Sequence, residues 1–126
     1  MSSTILLVDD DQASLDLMTM ILERKGFKVV KTTDSLAVMH MLESVRPHLV
    51  ISDLMMPGLD GLELCEQIRM QPERAALPLL IVSAMADQVT IDSCFQAGAT
   101  EYATKPLSPQ KLVNTVYRLL GVRADF

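Results

Sequence analysis

Three short runs are apolar at every position: Ile5-Leu6-Leu7-Val8, Leu49-Val50-Ile51 and Leu79-Leu80-Ile81-Val82. A strand with one face in water alternates apolar and polar residues. A strand buried on both faces does not, and this is the mark of the central strands of a parallel sheet covered by helices. Two weaker segments complete the set. Phe27-Lys28-Val29-Val30-Lys31 is more polar and suits an edge, and residues 101–104 are short. Between them lie patterns with helical spacing. Residues 12–25 carry Leu15, Met18 and Leu22, joined by Leu17 and Ile21, and Gly26 ends them. Residues 35–45 place Leu36, Met39 and Leu42 in phase ahead of Pro47. Residues 60–70 carry Leu62, Cys65 and Ile68 behind the first-turn acids Asp60 and Glu63. A loop around Pro72 and Pro78 follows, then helices over 87–97 and 108–120, ended by Gly98 and Gly121.

Strict alternation of this kind is (βα)5. It predicts an α/β, doubly wound, flavodoxin-like fold, with a parallel five-stranded sheet in the order 2-1-3-4-5 and helices on both faces. The 126 residues, 49% hydrophobic and 21% charged, are expected to form a single domain over 1–126. The tail from Val122 to Phe126 is too short for another element. No apolar run reaches the roughly 18 residues that span a membrane, and the first residues do not resemble a signal peptide. The expected location is cytoplasmic, with no membrane partner. A net charge of −5 argues against direct nucleic-acid binding by this domain. Cys65 and Cys94 fit no metal spacing and are expected as free, buried thiols. The nine methionines are too scattered for a cofactor motif.

Polar residues stand where the apolar runs stop. Asp9, Asp10 and Asp11 follow the first run, Asp53 the third strand, Ser83 the fourth and Lys105 the fifth. In a doubly wound sheet these ends line one crevice, at the point where strand order reverses between strands 1 and 3. Asp9, Asp10 and Asp53 would meet there and repel one another. A hard divalent cation with oxygen ligands relieves that repulsion, and Mg2+ is the usual choice, with Mn2+ able to take its place. An Asp carboxylate can act as a nucleophile toward phosphorus, with a cation and Lys105 to neutralise the phosphoryl oxygens and Ser83 to hydrogen-bond one of them. Asp11 is either a third ligand or, preferably, a helix N-cap. His40 and His48 lie away from these strand ends and are poor phosphate carriers.

Four pieces together carry a resemblance: Val8-Asp9-Asp10, Ile51-Ser52-Asp53-Leu54-Met55-Met56-Pro57-Gly58-Leu59-Asp60-Gly61, Val82-Ser83-Ala84 and Lys105-Pro106. In order and spacing, over residues 4–120, they resemble the CheY-like receiver domains of response regulators in two-component signalling. The resemblance implies that Asp53 is the phosphoacceptor and that Asp10 binds the metal directly. Asp9 would act through metal-bound water, and the Met55 backbone carbonyl would be a further ligand. It implies that Ser83 is the switch hydroxyl, Lys105 the phosphate-contacting lysine and Tyr102 the aromatic that swings inward. It also implies a cis Lys105–Pro106 bond. The implied partners are a sensor histidine kinase or histidine phosphotransfer protein and an unidentified output. The donor would dock on Ala13, Ser14, Leu17, Pro106 and Leu107, and the output would read the face of helix 4, strand 5 and helix 5. Such a domain catalyses its own phosphorylation and dephosphorylation without being a conventional turnover enzyme.

Two other readings compete. Asp9-Asp10-Asp11-Gln12-Ala13 approaches the signature of haloacid-dehalogenase-like phosphatases, in which Asp9 would be the nucleophile. Its last position departs from that signature, and the chain leaves little room for a substrate cap. A receiver-like module that is never phosphorylated usually lacks one of the acid, hydroxyl or lysine positions, and all are present here.

Overall fold

A computed structural model describes residues 3–122; the expectations for the extreme N-terminus and for the tail beyond Val122 lie outside these residues. Five parallel strands, β1 (Thr4–Val8), β2 (Lys28–Thr32), β3 (Leu49–Asp53), β4 (Leu79–Ser83) and β5 (Glu101–Thr104), form one sheet in the order β2-β1-β3-β4-β5. The five α-helices are α1 (Gln12–Arg24), α2 (Val38–Val45), α3 (Gly61–Arg69), α4 (Gln88–Ala97) and α5 (Pro109–Leu120).

Because side chains alternate across a strand, the apolar runs feed two cores at once. Ile5, Leu7, Leu49, Ile51, Leu80 and Val82 pack against α1 and α5 through Leu15, Leu22, Leu112 and Val116. Leu6, Val8, Val50, Leu79 and Ile81 pack on the other face against Val38 and Leu42 of α2, Leu64 and Ile68 of α3, and both cysteines. Cys65 and Cys94 are buried free thiols. Burial, and then proximity to Cys94, pushes the Cys65 thiol up to about 12, so it is a packing residue rather than a nucleophile.

Several boundaries differ from the pattern in the sequence for local reasons. The acid or hydroxyl expected inside a first turn instead stands before it as N-cap. Asp60 caps α3 in a reciprocal box with Glu63, Asp87 caps α4 and Ser108 caps α5. The helical pattern at 35–45 opens as a 3-10 turn, Ser35–Ala37, and a second such turn, Pro72–Arg74, interrupts the expected loop. Leu36 is therefore off the helical phase and two-thirds exposed. Leu17 is also exposed rather than part of the core. His48 sits at the N-terminal edge of the sheet, where its Nδ1 accepts from the Thr4 N–H at 2.9 Å.

Candidate functional site

The register between β1 and β3 pairs Val8 with Ser52, so the next residue of each strand, Asp9 and Asp53, emerges at the same edge. Asp10 joins them. One oxygen from each of the three carboxylates lies within 4.8 Å of the others. Asp9 is buried, Asp53 partly so and Asp10 exposed. Their engagements differ. Asp9 Oδ1 accepts from the Asp11 N–H at 2.9 Å and Asp9 Oδ2 from Lys105 Nζ at 3.1 Å. Asp53 Oδ1 accepts from the Leu54 N–H at 2.8 Å and lies 3.8 Å from Lys105 Nζ. Among the described residues, the Asp10 carboxylate and the Met55 carbonyl accept no hydrogen bond. The clustered donors are all carboxylate oxygens, carry three negative charges against one lysine, and include the exposed, unengaged Asp10. That set fits a hard divalent cation.

Asp11 takes the capping alternative. Its carboxylate accepts from the Ala13 N–H at 3.2 Å and from Ser14 Oγ at 2.8 Å, turning it toward α1.

Burial raises the pKa of Asp53 above the ordinary carboxylate value, and the charge of Asp9 raises it further, with Lys105 and the Leu54 N–H opposing them. The consequence for stability has a definite sign. A carboxyl with a raised folded-state pKa adds stability that is fully present below the ordinary value of about 3.9. That stability disappears as pH rises through the folded-state value, so at neutral pH the ionised group opposes folding. Asp53→Asn should therefore stabilise the metal-free protein at pH 7 by about 1 kcal/mol, or roughly 3–6 °C in Tm. The gain should shrink when melting is repeated at about pH 4. An equal midpoint for wild type and variant at pH 7 would show that the site carries no such repulsion.

Ser83 and Lys105 arrive on adjacent strands, with the Lys105 N–H bonded to the Ser83 carbonyl at 2.7 Å. The Lys105–Pro106 bond is cis. Ser83 is buried, and its Oγ accepts from the Met85 N–H at 3.1 Å. The Tyr102 hydroxyl donates to the Met85 carbonyl at 2.6 Å. Both switch candidates thus converge on one residue of the β4–α4 loop, Met85, Ser83 at its N–H and Tyr102 at its carbonyl. Burial, first among its causes, raises the pKa of Tyr102, which keeps the phenol a donor. Met55 and Met85, two residues past Asp53 and Ser83, are both exposed. Of the donor-docking candidates, Ser14, Leu17, Pro106 and Leu107 line one recess of about 450 Å³ beside Lys105. Ala13 lies in the exposed first turn of α1.

The sequence reading quoted Gly61 at the end of the Asp53 stretch but gave it no role; it packs against the Asp53 and Leu54 backbone. Its N–H donates to the Leu54 carbonyl at 2.8 Å, and a Cβ there would overlap the carbonyl oxygen of Asp53. The signal was present as a glycine directly after the Asp60 cap, where glycine has no helical advantage.

A parallel α/β sheet with an acid triad, a hydroxyl and a lysine at the carboxyl ends of its strands defines a phosphoacceptor class of site. The response regulator receiver domain model matches residues 5–117, and the chain belongs to that family. It is 33% identical over 120 residues to the alkaline phosphatase synthesis transcriptional regulatory protein PhoP of Bacillus subtilis, covering 95% of this chain and 49% of that protein. The chain spans about half the length of such curated relatives. A putative response regulator from Chloroflexus aurantiacus superposes with a TM-score of 0.91 at 31% identity, covering 96% of this chain and 99% of that one. The receiver domain of the sensor histidine kinase PA1611 from Pseudomonas aeruginosa, whose crystal structure has a magnesium ion coordinated in the active-site cleft, superposes with a TM-score of 0.87 at 27% identity. It covers 96% of this chain and 99% of that one.

Proposed function

We propose that Asp53 accepts a phosphoryl group from the phosphohistidine of a sensor kinase or histidine phosphotransfer protein, with Mg2+ held by Asp10, Asp53 and the Met55 carbonyl, and by Asp9 through water. The observation that carries this reading is the gathering of Asp9, Asp10 and Asp53 within 4.8 Å, with Lys105 against them. A carboxylate oxygen of Asp53 attacks phosphorus, the P–N bond to histidine breaks as the P–O bond forms, and the imidazole leaves. Bound Mg2+ would neutralise charge on the phosphoryl oxygens. Lys105 adds a second positive charge, exchanging part of its contact with Asp9 for the incoming group. Ser14, Leu17, Pro106 and Leu107, with Ala13 beside them, form the surface on which the donor approaches.

Drawing the Ser83 hydroxyl to a phosphoryl oxygen takes it from the Met85 N–H. The loop ahead of α4 then keeps the Tyr102 contact but loses the Ser83 one, and the face of α4, β5 and α5 is biased toward a second arrangement that the output reads. Loop release of this kind makes the domain a switch that processes its own phosphoryl group rather than a turnover enzyme.

Acetyl phosphate with Mg2+ tests the reading. One phosphoryl group should be added per chain, without sustained hydrolysis of p-nitrophenyl phosphate. Rapid turnover of that ester would support the hydrolase alternative, and an unmodified chain would support a module that acts by binding alone.

The lifetime of the acyl phosphate follows from Met55 and Met85. Hydrolysis needs a water in line with the breaking bond. Met55 and Met85 lie two residues past Asp53 and Ser83, and a thioether is at most a weak acceptor. Met55→Asn, Met85→Glu and the double variant should therefore lose phosphate faster than wild type in excess Mg2+, by about tenfold for the double variant. Rates equal to or below wild type in all three would defeat the shielding argument.

A further inference from the structure

The connection from β2 into the Ser35–Ala37 turn touches both halves of the acid site. On one side, the Thr32 carbonyl accepts from the Asp9 N–H at 3.3 Å. On the other, Ser35 reaches the β3–α3 loop. Ser35 is 2% exposed. Its Oγ donates to the Pro57 carbonyl and accepts from the Leu59 N–H, both at 3.2 Å. Beside it, Leu36 lies against Gly58, which has φ +85°, so closely that a Cβ there would meet Leu36 Cγ at 3.2 Å. The segment is itself held, because Asp34 Oδ1 accepts from the Leu36 N–H at 3.0 Å and Thr32 Oγ1 from the Asp34 N–H at 3.0 Å. The Pro57–Leu59 turn begins two residues after Met55, whose carbonyl accepts no hydrogen bond among the described residues.

We propose that Ser35 is a positioning residue for the divalent cation. Its hydroxyl fastens the Pro57–Leu59 turn to the β2 connection and so sets the Met55 carbonyl in place relative to Asp9, Asp10 and Asp53. This rests on the reading of the acid cluster as a Mg2+ site. A loop carrying a neutral carbonyl ligand gains nothing from repulsion between the acids, so its position must come from bonds elsewhere. Ser35 supplies two of them from a buried hydroxyl, sharing the Leu59 N–H with the Pro57 carbonyl at 3.2 Å. Outer partners that orient metal ligands commonly govern affinity although they never touch the ion.

The test is a Mg2+ titration of wild type, Ser35→Ala and Ser35→Gly, followed by amide chemical shifts. Thr115→Ala, which removes another buried hydroxyl on α5, serves as the control for general destabilisation. The Mg2+ Kd of both Ser35 variants should rise about tenfold, and that of Thr115→Ala should stay within about twofold. Hydrogen exchange at the Leu59 amide should quicken in the Ser35 variants without Mg2+ present. A wild-type Kd in either folded Ser35 variant, or an equal loss in Thr115→Ala, would overturn the proposal. A wild type that binds no Mg2+ would overturn the metal reading beneath it, and the proposal with it.

Discussion

An Asp10→Asn variant should lose Mg2+ affinity by on the order of a hundredfold, and Asp9→Asn by about tenfold. The two acids are neighbours in sequence, and composition treats them alike. The structure separates them. Asp9 is buried with both oxygens engaged, one by the Asp11 N–H and one by Lys105. To bind an ion directly it would have to give up a charge-assisted contact within a buried site. Asp10 is exposed and its carboxylate is unengaged among the described residues, so a cation meets it at no such cost. Outer-shell partners are worth about 10–100-fold in affinity, so a direct charged ligand should reach at least the upper end. Titration of Mg2+ into each metal-free variant decides the matter. A larger loss in Asp9→Asn would reverse their roles.

Gly61→Ala should destabilise the protein by about 1–3 kcal/mol and slow phosphorylation by up to about a hundredfold. Here φ is not the constraint; the close approach of backbone is. A methyl group at Gly61 would overlap the Asp53 carbonyl oxygen and crowd Leu54 Cα. Neither neighbour is a side chain that can rotate away. Either α3 withdraws, breaking the Gly61–Leu54 hydrogen bond, or the Asp53 peptide turns and carries the carboxylate with it. Both responses reach Asp53. Denaturant midpoints and initial labelling rates at saturating Mg2+ measure the two effects together. Wild-type values for both would show that the β3–α3 junction has room the geometry denies it.

The central parallel strands were legible because burial on both faces leaves no polar position in Ile5–Val8 or Leu79–Val82, and their order followed from the doubly wound fold class rather than from the strands themselves. The acid site was legible for the complementary reason, since ionised side chains at the ends of such strands need partners. Asp53, Asp10, Ser83 and Lys105 therefore stood out against their apolar neighbours. Ser35 did not. A serine at the start of a helical pattern looks like an ordinary cap, and its bonds to Pro57 and Leu59 span a sequence distance that no local pattern encodes. Leu36 failed in the opposite way. Its spacing to Met39 and Leu42 is helical, but the backbone there is a 3-10 turn, and the side chain faces Gly58 instead of the core. The convergence of Ser83 and Tyr102 on Met85 was likewise out of reach, because each contact depends on how the β4–α4 loop closes.

The central claim is that Asp53 is the phosphoacceptor, and its most direct test is the intact mass of wild type, Asp53→Asn and Asp9→Asn after incubation with acetyl phosphate, with Mg2+ and with chelator. The account predicts one added phosphoryl group on wild type in Mg2+, none in chelator, and none on Asp53→Asn under either condition. Full labelling of Asp53→Asn, at a hydroxyl or at Asp9, would contradict it.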